Sequence, residues 1–314
     1  MPDHLHRASS LALMALFAGA AAIGSAGIFV RLSETGPIAT AFWRGALALP
    51  LLGVWAWLEQ RARARRADAG QVEPLPGYSR FFWAGLFFAG DLALWHWSLL
   101  LTSVAASTLE ANLAPVFVTL FMRLFWGHRP APRFIAALAL AAGGLLLVVS
   151  PGLGRPGGSL LGDALGIATA CFYAGYLIAV SRLRANVGTG VVMFRSTLAF
   201  TVMLLPLALT TGKFFPDTPH GWLTLVGLAT VAQFLGQSLI AYALAHLPAT
   251  FGAVGLYVQP VAAAVYAWLL LGERLTAVQV VGGAVVLGAI ALARSAEPTR
   301  ASSQSSTKRQ SVSR

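Results

Sequence analysis

Apolar residues along this chain come in long unbroken runs, with polar residues collected in the short segments between them. Ten runs stand out, at about 10–30, 38–58, 80–101, 106–126, 133–150, 161–181, 190–210, 220–244, 250–271 and 276–294. Each has the roughly 20 residues that a helix needs to cross the hydrocarbon of a bilayer. The runs are too long for strands and lack sustained period-two alternation, which excludes a β-barrel. Backbone groups in lipid must be bonded within each span, so helices are the remaining solution. The pattern predicts an all-α membrane protein with ten transmembrane helices and no room for a soluble domain. The first run follows His4, His6 and Arg7, so a cleaved signal peptide is the alternative there. It is long for a signal core, and the symmetry described below needs it as a partner helix.

Composition sharpens this picture. The chain is 57% hydrophobic and only 11% charged, with a mean hydropathy of +0.72. Soluble domains carry about a quarter charged residues, so a soluble enzyme or a disordered protein is excluded. The single cysteine, Cys171, leaves no internal disulfide and no thiolate metal cluster. A net charge of +11 would suggest nucleic acid in a soluble chain. Here the basic residues sit between apolar runs, where they act as topology signals. With the N-terminus inside, the inner segments carry 16 of the 22 Lys and Arg residues and the outer ones 4. Arg44 and Arg195 lie inside runs. That bias predicts cytoplasmic N- and C-termini. The segments are then a cytoplasmic N-terminus (1–9), two halves (10–150 and 161–294), and a Ser-, Thr- and Arg-rich tail (295–314) read as disordered. Twenty Arg against two Lys, with abundant Ala and Gly, point to a GC-rich bacterial gene and hence to the inner membrane.

The two halves resemble each other. APVFVTLFMRLFWGHRPAPRF begins at Ala114 and QPVAAAVYAWLLLGERLTAVQ at Gln259. Pro115 then matches Pro260 and Gly127 matches Gly272, both 145 residues apart. RGALA at Arg44 matches RSTLA at Arg195, and Arg31-Leu32 matches Arg182-Leu183, both 151 apart. Five spans per half is an odd number, so the second half enters the membrane upside down. Inverted repeats give a carrier two related conformations, one open to each side.

At these motifs the chain resembles the drug/metabolite transporter superfamily, in its EamA type with two EamA repeats, across residues 10–294. The most specific piece is Pro260, then Leu271-Gly272-Glu273, then Gly282, Gly283 and Gly288. The first repeat keeps Pro115, Gly127, Gly143 and Gly144 but has His128 where the family usually has Glu. The resemblance implies a ten-helix exporter of small metabolites, amino acids or drugs. The nearest functional type is the YddG-like amino-acid exporter. It also implies an aromatic near Tyr173 and a Tyr three residues before the ninth-span proline, which is Tyr257.

Polar groups at hydrocarbon depth are costly and mark candidate sites. Asp91, Trp95, Ser98 and Thr102 share one face of span three, with His96 one position off it. Span eight offers Gln233 and Gln237, and span six Tyr173 and Tyr176. Asn112 precedes Pro115, as Tyr257 and Gln259 precede Pro260. Trp95, His96, Asn112, Tyr173, Tyr176, Gln233, Gln237, Tyr257 and Gln259 are the expected substrate-binding set. Aromatic walls with amide donors suit an amphipathic ligand. Arg44, Asp91, Glu110 and Arg195 are the expected gating or coupling residues, with an Arg44–Glu110 ion pair closing the outer side and Asp91 carrying a proton. The glycines of spans five and ten predict tight packing there. No Walker A motif, catalytic cluster or metal-ligand spacing is present, so no enzyme activity, cofactor or metal is expected. The expected partners are a small-molecule substrate and membrane lipids, with no nucleic acid, in a monomer or homodimer. A facilitative, channel-like permease and an integral-membrane enzyme are the alternatives.

Overall fold

The computed structural model describes residues 2–67, 75–102, 104–150, 159–210, 212–271 and 275–296. Part of the 59–79 linker, Arg155, the Gly272-Glu273-Arg274 stretch and the tail beyond residue 296 lie outside the described residues. Ten helices are long and apolar enough to cross a membrane: α1 (Ser10–Leu32), α2 (Pro37–Arg65), α3 (Tyr78–Leu101), α4 (Ser107–Trp126), α5 (Pro132–Val149), α6 (Leu160–Leu183), α7 (Thr189–Thr210), α8 (Pro219–Ala243), α9 (Ala249–Leu270) and α10 (Ala277–Ser295). Large apolar side chains such as Leu124, Phe125, Leu209, Leu223 and Leu269 are exposed on the outside, where lipid replaces water as solvent.

Local chemistry sets where the helices start and stop. Pro37, Pro132 and Pro219 stand in the first turn of α2, α5 and α8, where the missing N–H costs nothing. Gly127 ends α4 in the left-handed conformation, φ 65°. The Gly127 and His128 amides then turn back onto the Arg123 and Met122 carbonyls, a close that a residue with a Cβ resists. Ser159 and Thr218 cap α6 and α8 through their hydroxyls.

The start of α1 and the end of α10 lie on one face of the bundle, the terminal face; the other is the far face. On the far face Glu34 accepts hydrogen bonds from the Asp217 and Thr218 amides and the Thr218 hydroxyl, clamping the α1–α2 turn to the start of α8. The Thr218 hydroxyl, with those amides, holds the Glu34 carboxyl below its usual range. On the terminal face Glu59 of α2 accepts from the Val191 amide at 3.1 Å and so caps α7.

The helix pairing follows the duplication. α3 packs along α6, and α8 along α1; α4 packs against α6, and α9 against α1. α2 lies on α7, and α5 on α10. Exchanging the halves maps each pair onto another pair or onto itself. The two five-helix repeats are therefore interlocked: α1 packs with the second repeat and α6 with the first.

α5 and α10 meet at two glycines. A Cβ on Gly144 would stand 2.9 Å from the Gly282 carbonyl oxygen, and one on Gly282 would stand 2.8 Å from that of Gly144. The tight packing expected of this pair is confined to those two residues. A Cβ on Gly143 or Gly288 would meet nothing within 4 Å, and Gly283 makes only ordinary contact. Replacing Gly282 by valine should therefore destabilise the protein by about 1–3 kcal/mol, whereas Gly288→Val should be neutral. Thermal midpoints of the two variants in detergent check this.

Candidate functional site

The site begins with two broken helices. α4 stops at Ala111 and resumes at Ala114. α9 stops at Gly255 and resumes at Val258. Pro115 and Pro260 carry no N–H, so the carbonyls of Ala111 and Leu256 four residues earlier lose their helical donors. The Leu256 carbonyl instead takes the Gln259 amide at 2.8 Å, tightening the turn. α1 is interrupted beside the second break. Its long helix ends at Gly24, where a Cβ would lie 2.6 Å from the Gln259 carbonyl oxygen.

A cavity of about 170 Å³ opens between these breaks. Arg44 of α2, Asp91 and Trp95 of α3, Asn112 of α4, Tyr173 of α6, Gln237 of α8 and Gln259 of α9 all line it. Gly24, Ala26, Gly27 and Ala263 give its far-side wall small apolar surfaces. Gln237 forms the floor, and the other lining residues lie at mid-depth or toward the far face. Beyond the floor, Tyr176, Leu177, Met193, Phe251 and Tyr257 are fully buried, so the terminal half is packed shut.

Arg44 sits in the wall with only 6% of its surface exposed. Its Nε donates to Gln233 Oε1 at 2.9 Å, and Gln233 Nε2 donates to Thr197 Oγ1 at 3.2 Å. The guanidinium carbon lies 5.6 Å from the centre of the Phe88 ring. Arg44 Nη2 has no hydrogen-bond partner although it is buried. Phe88 and Tyr173 both stack toward Tyr176, with ring centroids 4.5 and 5.9 Å away. The Tyr176 hydroxyl donates to Gln237 Oε1 at 3.5 Å. The Tyr173 hydroxyl lies beside the Gln259 and Gln237 amides, but neither it nor Gln259 Nε2 meets a partner at hydrogen-bond geometry. Buried polar atoms are normally paired, so a set left open around one cavity points to a ligand.

The structure thus brings seven of the expected residues into one cavity: Arg44, Asp91, Trp95, Asn112, Tyr173, Gln237 and Gln259. Tyr176 and Gln233 lie one layer behind, bonded to Gln237 and Arg44. Tyr257 is buried beneath, its hydroxyl unbonded. His96 faces away, with Nδ1 2.6 Å from the Leu92 carbonyl of its own helix and its ring edge-on to Trp95. The polar face of α3 divides: Ser98 donates to Ser107 at 2.9 Å and Thr102 to Asp163 at 2.6 Å, so only Asp91 and Trp95 meet the cavity.

The Arg44–Glu110 ion pair does not form. Glu110 lies against Gly166 and beside Asp163 on α6, because the missing side chain of Gly166 leaves room for it there. Arg195 stacks over Phe81 and Tyr78 at the terminal end of α3, 4.9 and 5.7 Å from their ring centres.

Two features were not foreseen from the sequence. Leu228–Gln237 of α8 is wound as a π-helix, which widens the turn carrying both glutamines. A second hollow, of about 190 Å³, lies on the terminal face between α4, α6 and α9, lined among others by His128, Ser181, Arg182 and Thr250. Exchange of the halves carries the α9, α1 and α4 walls of the main cavity onto those three helices. Among the described residues no cluster of three metal-ligating side chains occurs.

The EamA-like transporter family model matches residues 10–150 and 160–295. A pseudopaline exporter, CntI, of Pseudomonas aeruginosa (strain UCBPP-PA14) is 30% identical over 229 residues, covering 72% of this chain and 79% of that protein. An uncharacterized transporter of Archaeoglobus fulgidus is 26% identical over 277 residues, covering 84% and 91%. One solved crystal structure superposes with a TM-score of 0.72 at 18% identity, over 90% of this chain and 96% of the other, and shows that the fold is shared.

Proposed function

Because the chain belongs to the EamA-like transporter family of the drug/metabolite transporter superfamily, with two EamA repeats, we propose that it is a secondary exporter of small amphipathic metabolites, amino acids and aromatic ones among them, or related drugs. It works by alternating access in a bacterial inner membrane, with both termini cytoplasmic. The observation that carries this reading is the cavity between the broken helices α4 and α9, at the junction of the repeats and shut on the terminal side. Transporters place substrate at such breaks, and rocking one repeat against the other exposes the same site to each face in turn. The hollow between the exchange-related helices α4, α6 and α9 is where the opposite opening would form. The name of the Pseudomonas relative, an exporter, supports the direction.

In this reading the cavity residues meet the ligand, with Trp95 and Tyr173 beside its apolar body and the amides of Asn112, Gln237 and Gln259 at its polar head. Glu110 and Arg195, outside the cavity, are placed to act at the two ends: the far-side contact of α4 with α6, and the terminal-side contact of α7 with α3. The test is efflux from proteoliposomes loaded with single amino acids or cationic drugs, with and without a pH gradient. Saturable efflux and counterflow of at least one compound are expected. Flux no faster than from empty vesicles for every compound would overturn the reading. Flux without saturation or counterflow would favour the channel-like alternative.

A further inference from the structure

The far-side wall of the cavity holds a glycine that packing does not call for. Gly24, Ala26, Gly27 and Ala263 form the small surfaces of that wall. Gly24 is held small by the Gln259 carbonyl oxygen, 2.6 Å from where its Cβ would stand. Ala26 is buried against Leu228 and Ala232. Gly27 answers to neither demand. A Cβ there would meet no neighbouring atom within 4 Å, and Gly27 is not among the glycines with positive φ. The helix α1 is interrupted at Ser25, whose hydroxyl donates to the Ala22 carbonyl at 2.6 Å, and Gly27 stands in the first turn after the interruption. It comes five residues before the far end of α1 at Leu32, whereas Gln259 lies eleven residues from the far end of α9 at Leu270. At 1.5 Å per residue, that difference puts Gly27 about 9 Å nearer the far face. Gly27 therefore borders the way in, outside the amides.

The duplication shows the same position a second time. The 151-residue spacing that matches Arg31 to Arg182 also matches Gly27 to Ile178. Ile178 borders the terminal-face hollow as Gly27 borders the cavity. One repeat position thus stands on the wall of both openings, filled by a branched side chain on one side and empty on the other. In α6 that position accepts an isoleucine with 7% of its surface exposed, so the repeat does not itself require glycine there. We propose that Gly27 sets the upper size of solute that the far opening admits. Its missing side chain is part of the passage, and a large side chain at position 27 narrows the passage for bulky solutes while sparing small ones. This deepens the exporter reading and rests on it, and it concerns the bulk of the solute, not its charge.

The test has one arm that needs no transported solute. In the purified full chain, Cys171→Ser with Gln259→Cys places a single thiol deeper than position 27. Its reaction rates with methyl and with benzyl methanethiosulfonate are then compared. Adding Gly27→Leu should slow the benzyl reagent about tenfold or more relative to the methyl reagent, and Gly27→Ala should shift the same ratio by less. Gly288→Leu puts a leucine at an open glycine away from the cavity and should leave the ratio unchanged. The second arm is counterflow of the compounds that the efflux assay shows to be carried. Gly27→Leu should lower kcat/KM about tenfold or more for the bulkiest of them and by no more than about threefold for the smallest. Where the leucine variant fails to fold, the alanine variant carries both arms. A reagent ratio that Gly27→Leu leaves at its starting value overturns the inference while the exporter reading stands. Carried compounds that all slow by one factor overturn it too. Size-selective labelling with no compound carried removes the exporter reading and keeps Gly27 as the size limit of the cavity.

Discussion

Leucine in place of Gln233 should cost the protein about 2–4 kcal/mol of stability and abolish transport. Among the described residues the Gln233 side chain is the one hydrogen-bond acceptor of the Arg44 guanidinium, at 2.9 Å, and the same amide donates to Thr197. Leucine fills similar space but strands a buried cation and a buried hydroxyl together. Removing one partner of a charged buried pair is far worse than replacing both, so Arg44→Met with Gln233→Leu should recover much of the lost stability without recovering transport. Gln233→Glu makes the opposite case. It turns the hydrogen bond into an ion pair, so the thermal midpoint should hold or rise. Turnover should fall, because a tightly held guanidinium is less available to the cavity. The check is to measure thermal midpoint and counterflow for each variant. A Gln233→Leu protein with wild-type values for both would show that Arg44 needs no partner from α8.

Much of this arrangement is legible in the chain because hydrophobic run length, charge bias and repetition are properties of the sequence itself. The ten spans and the two repeats follow from them, and Pro115 and Pro260 mark the helix breaks. So do the cavity-facing positions of Asp91, Trp95, Asn112 and Gln259, which sit on polar helix faces or beside prolines. What failed to show is rotational. Glu110 and Arg44 lie at similar depth, which suggested a pair, but depth does not say which way a helix faces. Gly166 decides it, by leaving a gap on α6 that Glu110 fills. His96 was one position off its polar face, and that offset is enough to turn it inward onto its own backbone. The partner of Arg44 lies 189 residues away, and no local pattern joins the two. The π-wound turn of α8 has no sequence marker of its own, and it alters which residues of Leu228–Gln237 stand above one another. The glycines of α10 show the same limit from the other side: Gly282 meets a backbone and Gly288 does not, although spacing alone treats them alike.

A cysteine at position 112 should react with a membrane-impermeant maleimide from the periplasmic side of intact cells and not from the cytoplasmic side. The chain has a single natural cysteine, Cys171, so Cys171→Ser supplies the background. Asn112 is a mild place for a thiol, because its amide only donates to the Thr108 carbonyl one turn back on its own helix. It lines the cavity on the far side of the packed floor. In the proposed orientation the far face is periplasmic, and 16 of the 22 basic residues then fall in cytoplasmic segments. Ser181→Cys, in the exchange-related hollow, should give the reverse pattern, with labelling from the cytoplasmic side alone. Saturating a transported amino acid should slow labelling at position 112 by occupying the cavity. It should also change labelling at position 181, because a carrier that turns over spends time with that hollow deepened. Labelling of position 112 from the cytoplasm alone would invert the topology. Equal labelling of both positions from both sides would make the protein a channel, since a floor closed by Tyr176 and Tyr257 cannot pass a maleimide unless it opens. The side on which each thiol reacts thus separates a carrier with one closed end from a pore, independently of which solute is carried.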